Sequence, residues 1–240
     1  MKLLIVRHGE PDYSIDSLTE KGWREARLLA DRLVKTDIAA MYVSPLGRAR
    51  DTAKPTLEKL DRTAETCEFL REFPAYATDA VTGDRRIPWD LLPRYWTDYP
   101  ELYDREKWTD SPAWGENNVA AVAKTVYDGL DGILARHGYE RHGNYYRATR
   151  SNHDTVILFC HFGVECVLLG HLLNISPVSL WHGTVALPSS VTELVTEERE
   201  EGIAYFRMMK FGDLSHLYAA DEPESFYARW CECFTDDTRH

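Results

Sequence analysis

Residues 2–6 (KLLIV) form a short apolar run that ends in Arg7-His8-Gly9-Glu10, the pattern of a buried strand stopping at a polar loop. Thr19 is placed to cap a helix through about Val34, because Trp23, Ala26, Leu29, Ala30 and Leu33 recur at helical spacing. Residues 39–43 (AAMYV) read as a second buried strand. Ser44-Pro45 then opens another helix, proline being tolerated in a first turn. A strand is expected around Glu65–Leu70. Val119–Ala135 returns to helical periodicity and stops before Gly138, and residues 138–153 are polar and read as a surface loop. Thr155–Cys160 (TVILFC) is the strongest strand pattern in the chain; it runs into His161-Phe162-Gly163 and an apolar helix through about Leu173. Strand-like segments follow near 184–195 and 203–211, joined by an acidic turn at 197–202. The tail from Asp221 is acidic and aromatic without a clear period.

The stretch from about Phe73 to Asn118 has a different texture. It holds five of the 11 prolines and four of the seven tryptophans (Trp89, Trp96, Trp108 and Trp114). Long regular helices are not expected there; short helices and loops packed by aromatics are. Elsewhere strands alternate with helices, which predicts an α/β sandwich around a mostly parallel sheet, with ligands outside the carboxyl ends of the strands. Arg7-His8 follows the first strand, Ser44 and Arg48 the second, and His161 the strongest. Three separate segments therefore deliver basic or hydrogen-bonding groups to one edge.

Composition narrows the class. With 240 residues, 44% hydrophobic and 28% charged, the chain fits one domain over 1–240 carrying an insertion at about 73–118. The balance of 28 Lys and Arg against 39 Asp and Glu, net −11, argues against nucleic-acid or anionic-membrane partners. It leaves room for a small phosphorylated substrate met by local arginines. Five scattered cysteines do not resemble a disulfide framework. Leu3 to Val6 is too short for a signal-peptide apolar core, and no stretch has membrane-spanning length, so a cytoplasmic location is expected. Oligomeric state is not legible.

Arg7 and Arg48 offer planar forks that match phosphate oxygens. His8 and His161 offer imidazoles able to act as nucleophile, donor or acid/base near neutral pH. The helix start after His161 would add backbone N–H donors, and Gly9 and Gly163 would let a phosphate approach closely. A neutral imidazole attacks phosphorus, cationic neighbours stabilise the transferring oxygens, and a carboxyl group must protonate the leaving alcohol. Glu72 is the best-placed carboxyl; Asp79 and Asp84 are weaker candidates. This chemistry needs neither a divalent metal nor a cofactor.

In order along the chain stand Arg7-His8-Gly9-Glu10, Leu18-Thr19-Glu20-Lys21-Gly22 with Ala26, Ser44-Pro45-Leu46-Gly47-Arg48-Ala49-Arg50-Asp51-Thr52-Ala53, Leu70-Arg71-Glu72, Gly115-Glu116-Asn117 and Cys160-His161-Phe162-Gly163. Together with Phe211-Gly212-Asp213-Leu214-Ser215-His216-Leu217, a looser match, these resemble the histidine phosphatase superfamily, which includes the cofactor-dependent phosphoglycerate mutases, and the matches run from residue 2 to about 217. The resemblance implies a three-layer α/β/α sandwich with 73–118 over the site. It implies His8 as the phosphorylated nucleophile, Arg7, Arg48 and His161 as the phosphate clamp, and Glu72 as proton donor and then general base. Several positions depart from the family pattern. Glu25 replaces a glutamine, Phe162 replaces the first glycine of an HGG segment, and Pro11 and Ser14 replace a Thr/Ser and an Asn, with Ser14 still offering a hydroxyl to phosphate. An ERxYG-like segment of the mutases is missing. The expected activity is metal-independent hydrolysis of a small phosphorylated metabolite. Mutase-type phosphoryl transfer and silent phosphate-ester binding are the alternatives.

Other polar residues read as structural. Arg50 faces away from Arg48 on a helix. Glu10 is a hydrogen-bond acceptor near the pocket, and His171 is a packing residue. Cys231-x-Cys233 with His240 is a poor zinc pattern. His182 and His216 are candidates to reach the pocket from late loops, His182 as a substrate contact. Arg85, Arg86 and Arg94 are candidates to reach the rest of the substrate from the insertion.

Overall fold

A computed structural model describes residues 1–78, 82–227, 230 and 233–235. Asp79, Cys231 and His240 lie outside the described residues. An eight-stranded sheet is formed by β1 (Lys2–Arg7), β2 (Ala40–Val43), β3 (Glu65–Thr66), β4 (Tyr139–His142), β5 (Tyr145–Ala148), β6 (Thr155–Cys160), β7 (Val191–Glu200) and β8 (Ile203–Asp213). The main helices are α1 (Glu20–Leu33), α2 (Gly47–Leu60), α3 (Val119–Arg136), α4 (Phe162–Leu173) and α5 (Pro177–Gly183).

The strand order is β3-β2-β6-β1-β7-β8-β5-β4. Successive side chains of β1 enter two cores. Leu3 and Ile5 pack with Leu130 and Val164 from α3 and α4, whereas Leu4 and Val6 pack with Leu29, Leu33 and Ala53 from α1 and α2. Helices therefore cover both faces, giving an α/β/α arrangement. Double coverage is why β1 and β6 read as unbroken apolar runs. No helix among the described residues is long and apolar enough to cross a membrane.

The sheet expected to be mostly parallel is parallel only along β3-β2-β6-β1; from β1 through β7, β8, β5 and β4 every pairing is antiparallel. Part of that second half is the segment 138–153, expected as a loop. It is a hairpin turning at Gly143, anchored by buried Tyr139 and Tyr146 while Glu140, His142 and Arg147 face solvent. An edge hairpin buries so little that its polar residues hide the alternation. Glu65–Leu70 is shorter as a strand than expected: β3 stops at Thr66 and a 3-10 turn occupies Glu68–Leu70.

Two boundaries shift because the site uses the residues. Helix α2 opens at Gly47 rather than at Ser44-Pro45, since the Ser44 hydroxyl is committed to His161. Strand β7 opens at Val191, and 184–190 is a loop whose backbone supports Arg7 and His8. Residues 73–118 contain, among the described residues, no regular element longer than four residues. Trp108 and Trp114 are fully buried in them, and the Trp114 indole donates to the Trp108 carbonyl at 2.5 Å.

Candidate active site

The parallel half of the sheet brings the predicted cationic residues to one edge. Arg7 ends β1 and His8 follows it; Ser44 follows β2, Arg48 lies in the first turn of α2, and His161 caps α4 directly after β6. The His8 and His161 rings lie 5.0 Å apart, and both side chains are buried.

Hydrogen bonds fix which nitrogen of each ring is free. His8 Nδ1 lies 2.7 Å from the Gly9 carbonyl, an acceptor only, so Nδ1 carries the proton and Nε2 keeps its lone pair. Ser44 Oγ accepts the Leu46 N–H at 3.2 Å and lies 2.8 Å from His161 Nε2. In the tautomer in which Ser44 gives its hydroxyl proton to His161 Nε2, His161 Nδ1–H is left as a donor. That Nδ1 has no partner, and neither do the buried Nε atoms of Arg7 and Arg48. Arg7 Nε, Arg48 Nε and, in that tautomer, His161 Nδ1 are thus unspent donors in the cluster that holds His8.

Burial, reinforced by the charges of Arg7 and then Arg48, holds His8 well below the ordinary histidine range, so its imidazole is neutral at pH 7. Burial and then the neighbouring His8 and arginines do the same to His161. The remaining donors of the arginines fix their position. Arg7 donates to the Ala186 carbonyl, and Arg48 donates to Asp16 Oδ1 at 2.6 Å.

Glu72 lies across from this cluster. Its Oε1 accepts the N–H of Phe73 at 2.8 Å and of Val164 at 3.1 Å. The α4 N–H expected for a phosphate is therefore taken, at Val164, by the carboxylate. Burial raises the pKa of Glu72, against the pull of these N–H groups and of Arg7 and Arg48. A Cβ on Gly163 would meet Glu72 Oε1 at 2.6 Å and the Trp89 indole at 2.8 Å, so only glycine lets all three meet.

Other predicted residues stand apart. Ser14 is exposed, and its hydroxyl donates to Asp12 at 2.5 Å; it is not among the converging groups. His182 is on α5, stacked on Trp96 at 4.7 Å and bonded to Val178 and Leu91, away from the two histidines. His216 lies behind His8: it bonds Ser189, whose N–H donates to the His8 carbonyl. Asp84 and Arg50 are exposed. Arg85 stands over Tyr76, and Arg86 and Arg94 over Tyr95. Glu10 accepts from Thr19 and Ser225, a structural role as expected. His171 packs on Tyr127 and Asp131.

Sequence reasoning missed Asp16, Thr52 and the part played by Glu25. Asp16 ties Arg48 and the Gly47 N–H; an acid in the loop beyond a paired Arg-His was the available signal. Thr52 accepts the Gly9 N–H at 2.9 Å, and Glu25 accepts the Glu10 N–H at 2.8 Å, so both pin the loop that follows His8.

Three kinds of comparison bear on this site. The family model described as histidine phosphatase superfamily (branch 1) matches residues 3–208. A probable phosphatase of Schizosaccharomyces pombe is 26% identical over 231 residues, covering 90% of this chain and 95% of that one. Phosphoserine phosphatase 1 of Hydrogenobacter thermophilus is 27% identical over 183 residues, 71% of this chain and 77% of that one. Among solved structures, a phosphoserine phosphatase of Entamoeba histolytica in complex with phosphoserine superposes with a TM-score of 0.61 at 17% identity, over 90% of this chain and 98% of that one. A mycobacterial glucosyl-3-phosphoglycerate phosphatase gives 0.59 at 21% identity, over 88% and 98%. These structural likenesses speak for the fold.

Proposed function

The chain belongs to branch 1 of the histidine phosphatase superfamily, and from that membership we propose that it hydrolyses a small phosphomonoester through a phosphohistidine at His8. The observation that carries this reading is the cluster of three partnerless donors, Arg7 Nε, Arg48 Nε and His161 Nδ1, around a histidine whose Nε2 lone pair is free. Buried donors without acceptors are costly, and a phosphoryl group satisfies all of them at once. Phosphatase-named relatives support the same class.

In the first half-reaction His8 Nε2 forms a bond to phosphorus while the bond from phosphorus to the alcohol oxygen breaks. Arg7, Arg48 and His161 take up charge on the three non-bridging oxygens. Glu72, whose pKa burial raises, gives its proton to the departing oxygen. In the second half Glu72 accepts a proton from water, the water oxygen bonds phosphorus, and His8 leaves with its lone pair restored.

The test is rapid quenching into alkaline detergent with 4-nitrophenyl phosphate labelled in its phosphoryl group, beside His8→Ala. The wild-type chain is expected to yield a transient acid-labile phosphoprotein and chelator-resistant phosphate release; the variant yields neither. Undiminished release by His8→Ala overturns the proposal.

A further inference from the structure

Beyond Glu72 the wall of the site is aromatic. Trp89, Trp96, Trp181, His182, Val185 and Trp230 are prominent in the lining of a cavity of about 580 Å³, and no Lys, Arg, Asp or Glu lines it among the described residues. Arg7, His8, Arg48, Glu72 and His161 do not line the cavity, and three of its lining residues connect it to them. The Trp89 indole and the Glu72 carboxylate both lie against Gly163. Trp230 stands 6.2 Å from the Phe162 ring, over which the Arg7 guanidinium sits at 5.6 Å. Val185 precedes Ala186, whose carbonyl holds Arg7.

Most polar groups of this wall are spent on the protein itself. Trp181 Nε1 donates to the Gly163 carbonyl at 2.8 Å, and Trp230 Nε1 donates to Asp90 at 3.3 Å. His182 is bonded through both ring nitrogens. The indole N–H groups of Trp89 and Trp96 are different: both are buried and neither has an acceptor. A buried indole N–H ordinarily finds a partner, and leaving it bare is costly. The wall thus offers ring surface and two waiting donors, and the Asp90 carboxylate that flanks it is already engaged by Trp230.

We propose that this cavity is the subsite for the alcohol portion of the substrate, and that this alcohol carries an uncharged aromatic or heteroaromatic ring with hydrogen-bond acceptors. Its place beside Glu72 is where a leaving oxygen must receive its proton, so the identification rests on the hydrolase reading above. Small zwitterionic alcohols such as that of phosphoserine, which relatives bear in their names, lack the ring this wall fits.

The experiment compares phosphate esters of phenylalkanols having two, three or four methylenes with esters of the matching n-alkanols, so that leaving-group acidity is held nearly constant. Each pair is measured as kcat/KM on the full-length chain and as Kd on His8→Ala by calorimetry. Burial of the ring is expected to favour the aryl ester by roughly tenfold or more for at least one tether length in both measurements. An acetyl group on the ring, supplying an acceptor, raises the preference further, and Trp96→Phe cancels that increment. Val185→Glu, at a position 41% exposed and therefore tolerant of substitution, returns the aryl-to-alkyl ratio toward one. A ratio near one at every tether, or a high ratio indifferent to both Trp96→Phe and Val185→Glu, overturns the subsite. If no ester is hydrolysed while the binding ratio on His8→Ala stays high, the subsite stands and the hydrolase reading falls.

Discussion

At the phosphate end of the site, Arg7, His8, Ser44 and His161 stand at the tips of three adjacent parallel strands, and backbone groups of neighbouring segments fix them. The Gly9 carbonyl sets the His8 tautomer, the Ala186 carbonyl holds Arg7, and the Ser190 carbonyl accepts the Arg7 N–H at 3.1 Å. At the opposite wall, Trp89 and Trp96 belong to residues 73–118, where no regular element exceeds four residues among those described. Ring contacts tie that segment to the body: Phe73 to Trp181 at 5.3 Å and Trp108 to Trp181 at 5.5 Å. Sheet register places the first set of groups, and side-chain packing places the second. If the proposed hydrolysis and alcohol subsite hold, the comparison teaches that the chemistry and the choice of substrate rest on separable supports, with Glu72 at the seam between them.

Glu72→Gln cuts at that seam and has the largest expected effect. It keeps acceptors for the Phe73 and Val164 N–H groups but removes the proton, so kcat for alkyl esters falls by roughly 10²–10⁴. The pH profile carries a sharper sign. In the proposed mechanism Glu72 must be protonated to serve the leaving group, so wild-type kcat/KM is expected to decline as pH rises through its elevated pKa. His8 titrates well below the usual histidine range, so no acid-side loss arises from it around pH 6.5. The variant should lose the alkaline limb, and its deficit should shrink for 4-nitrophenyl phosphate, whose leaving group needs less help. An unchanged limb in the variant would assign the acid elsewhere.

Trp108→Ala tests the packed wall by itself. Removing a fully buried indole costs about 3–5 kcal/mol. Hydrogen exchange should show protection lost within 73–118 while β1 and β6 amides stay protected, and methyl phosphate should still be turned over. Uniform loss of protection across the sheet would show that the two supports are not separable.

Glu25→Gln is the smallest change and concerns the phosphate end. Burial raises the Glu25 carboxyl to about 7, against the Glu10 N–H and Lys21. A carboxyl whose folded pKa lies above its unfolded value binds protons preferentially in the folded state. Its stabilising contribution is present below pH 4.5 and is lost as pH rises toward about 7. Glutamine keeps the acceptor for Glu10 and cannot ionise. Relative to wild type, the variant should therefore gain on the order of 1–3 kcal/mol at pH 8 and little at pH 4.5, read from Tm at each pH.

The same division explains what could be read from the sequence. Strands covered on both faces are apolar throughout, so β1 and β6 were legible, and the polar residues that interrupt them, Arg7-His8 and His161, stood out as strand-end chemistry. Asp16 was only faintly signalled, as an acid in the loop beyond Arg7-His8, because its value comes from reaching Arg48 and Gly47 on another element. The antiparallel half was harder. Hairpin Tyr139–Ala148 anchors on two tyrosines among charged residues, and residues 184–190 carry a strand-like composition while their backbone serves Arg7 and His8. The insertion announced itself by its prolines and tryptophans, but composition does not tell which indoles are bonded and which are bare.

Strand β1 lies at the middle of the sheet, with Lys2 opposite Thr155 on one side and Val195 on the other. His8 thus follows a strand whose two sheet partners both lie far downstream in the chain, β6 at Thr155–Cys160 and β7 at Val191–Glu200. Closing such long loops is entropically slow, and until then β1 presents two bare edges to any passing strand. A ribosome-bound chain that has not yet emitted β6 holds His8 with nothing to set it against His161. His8 and His161 can therefore meet only after β6 has emerged, and the interval before that is when β1 is most exposed to mispairing.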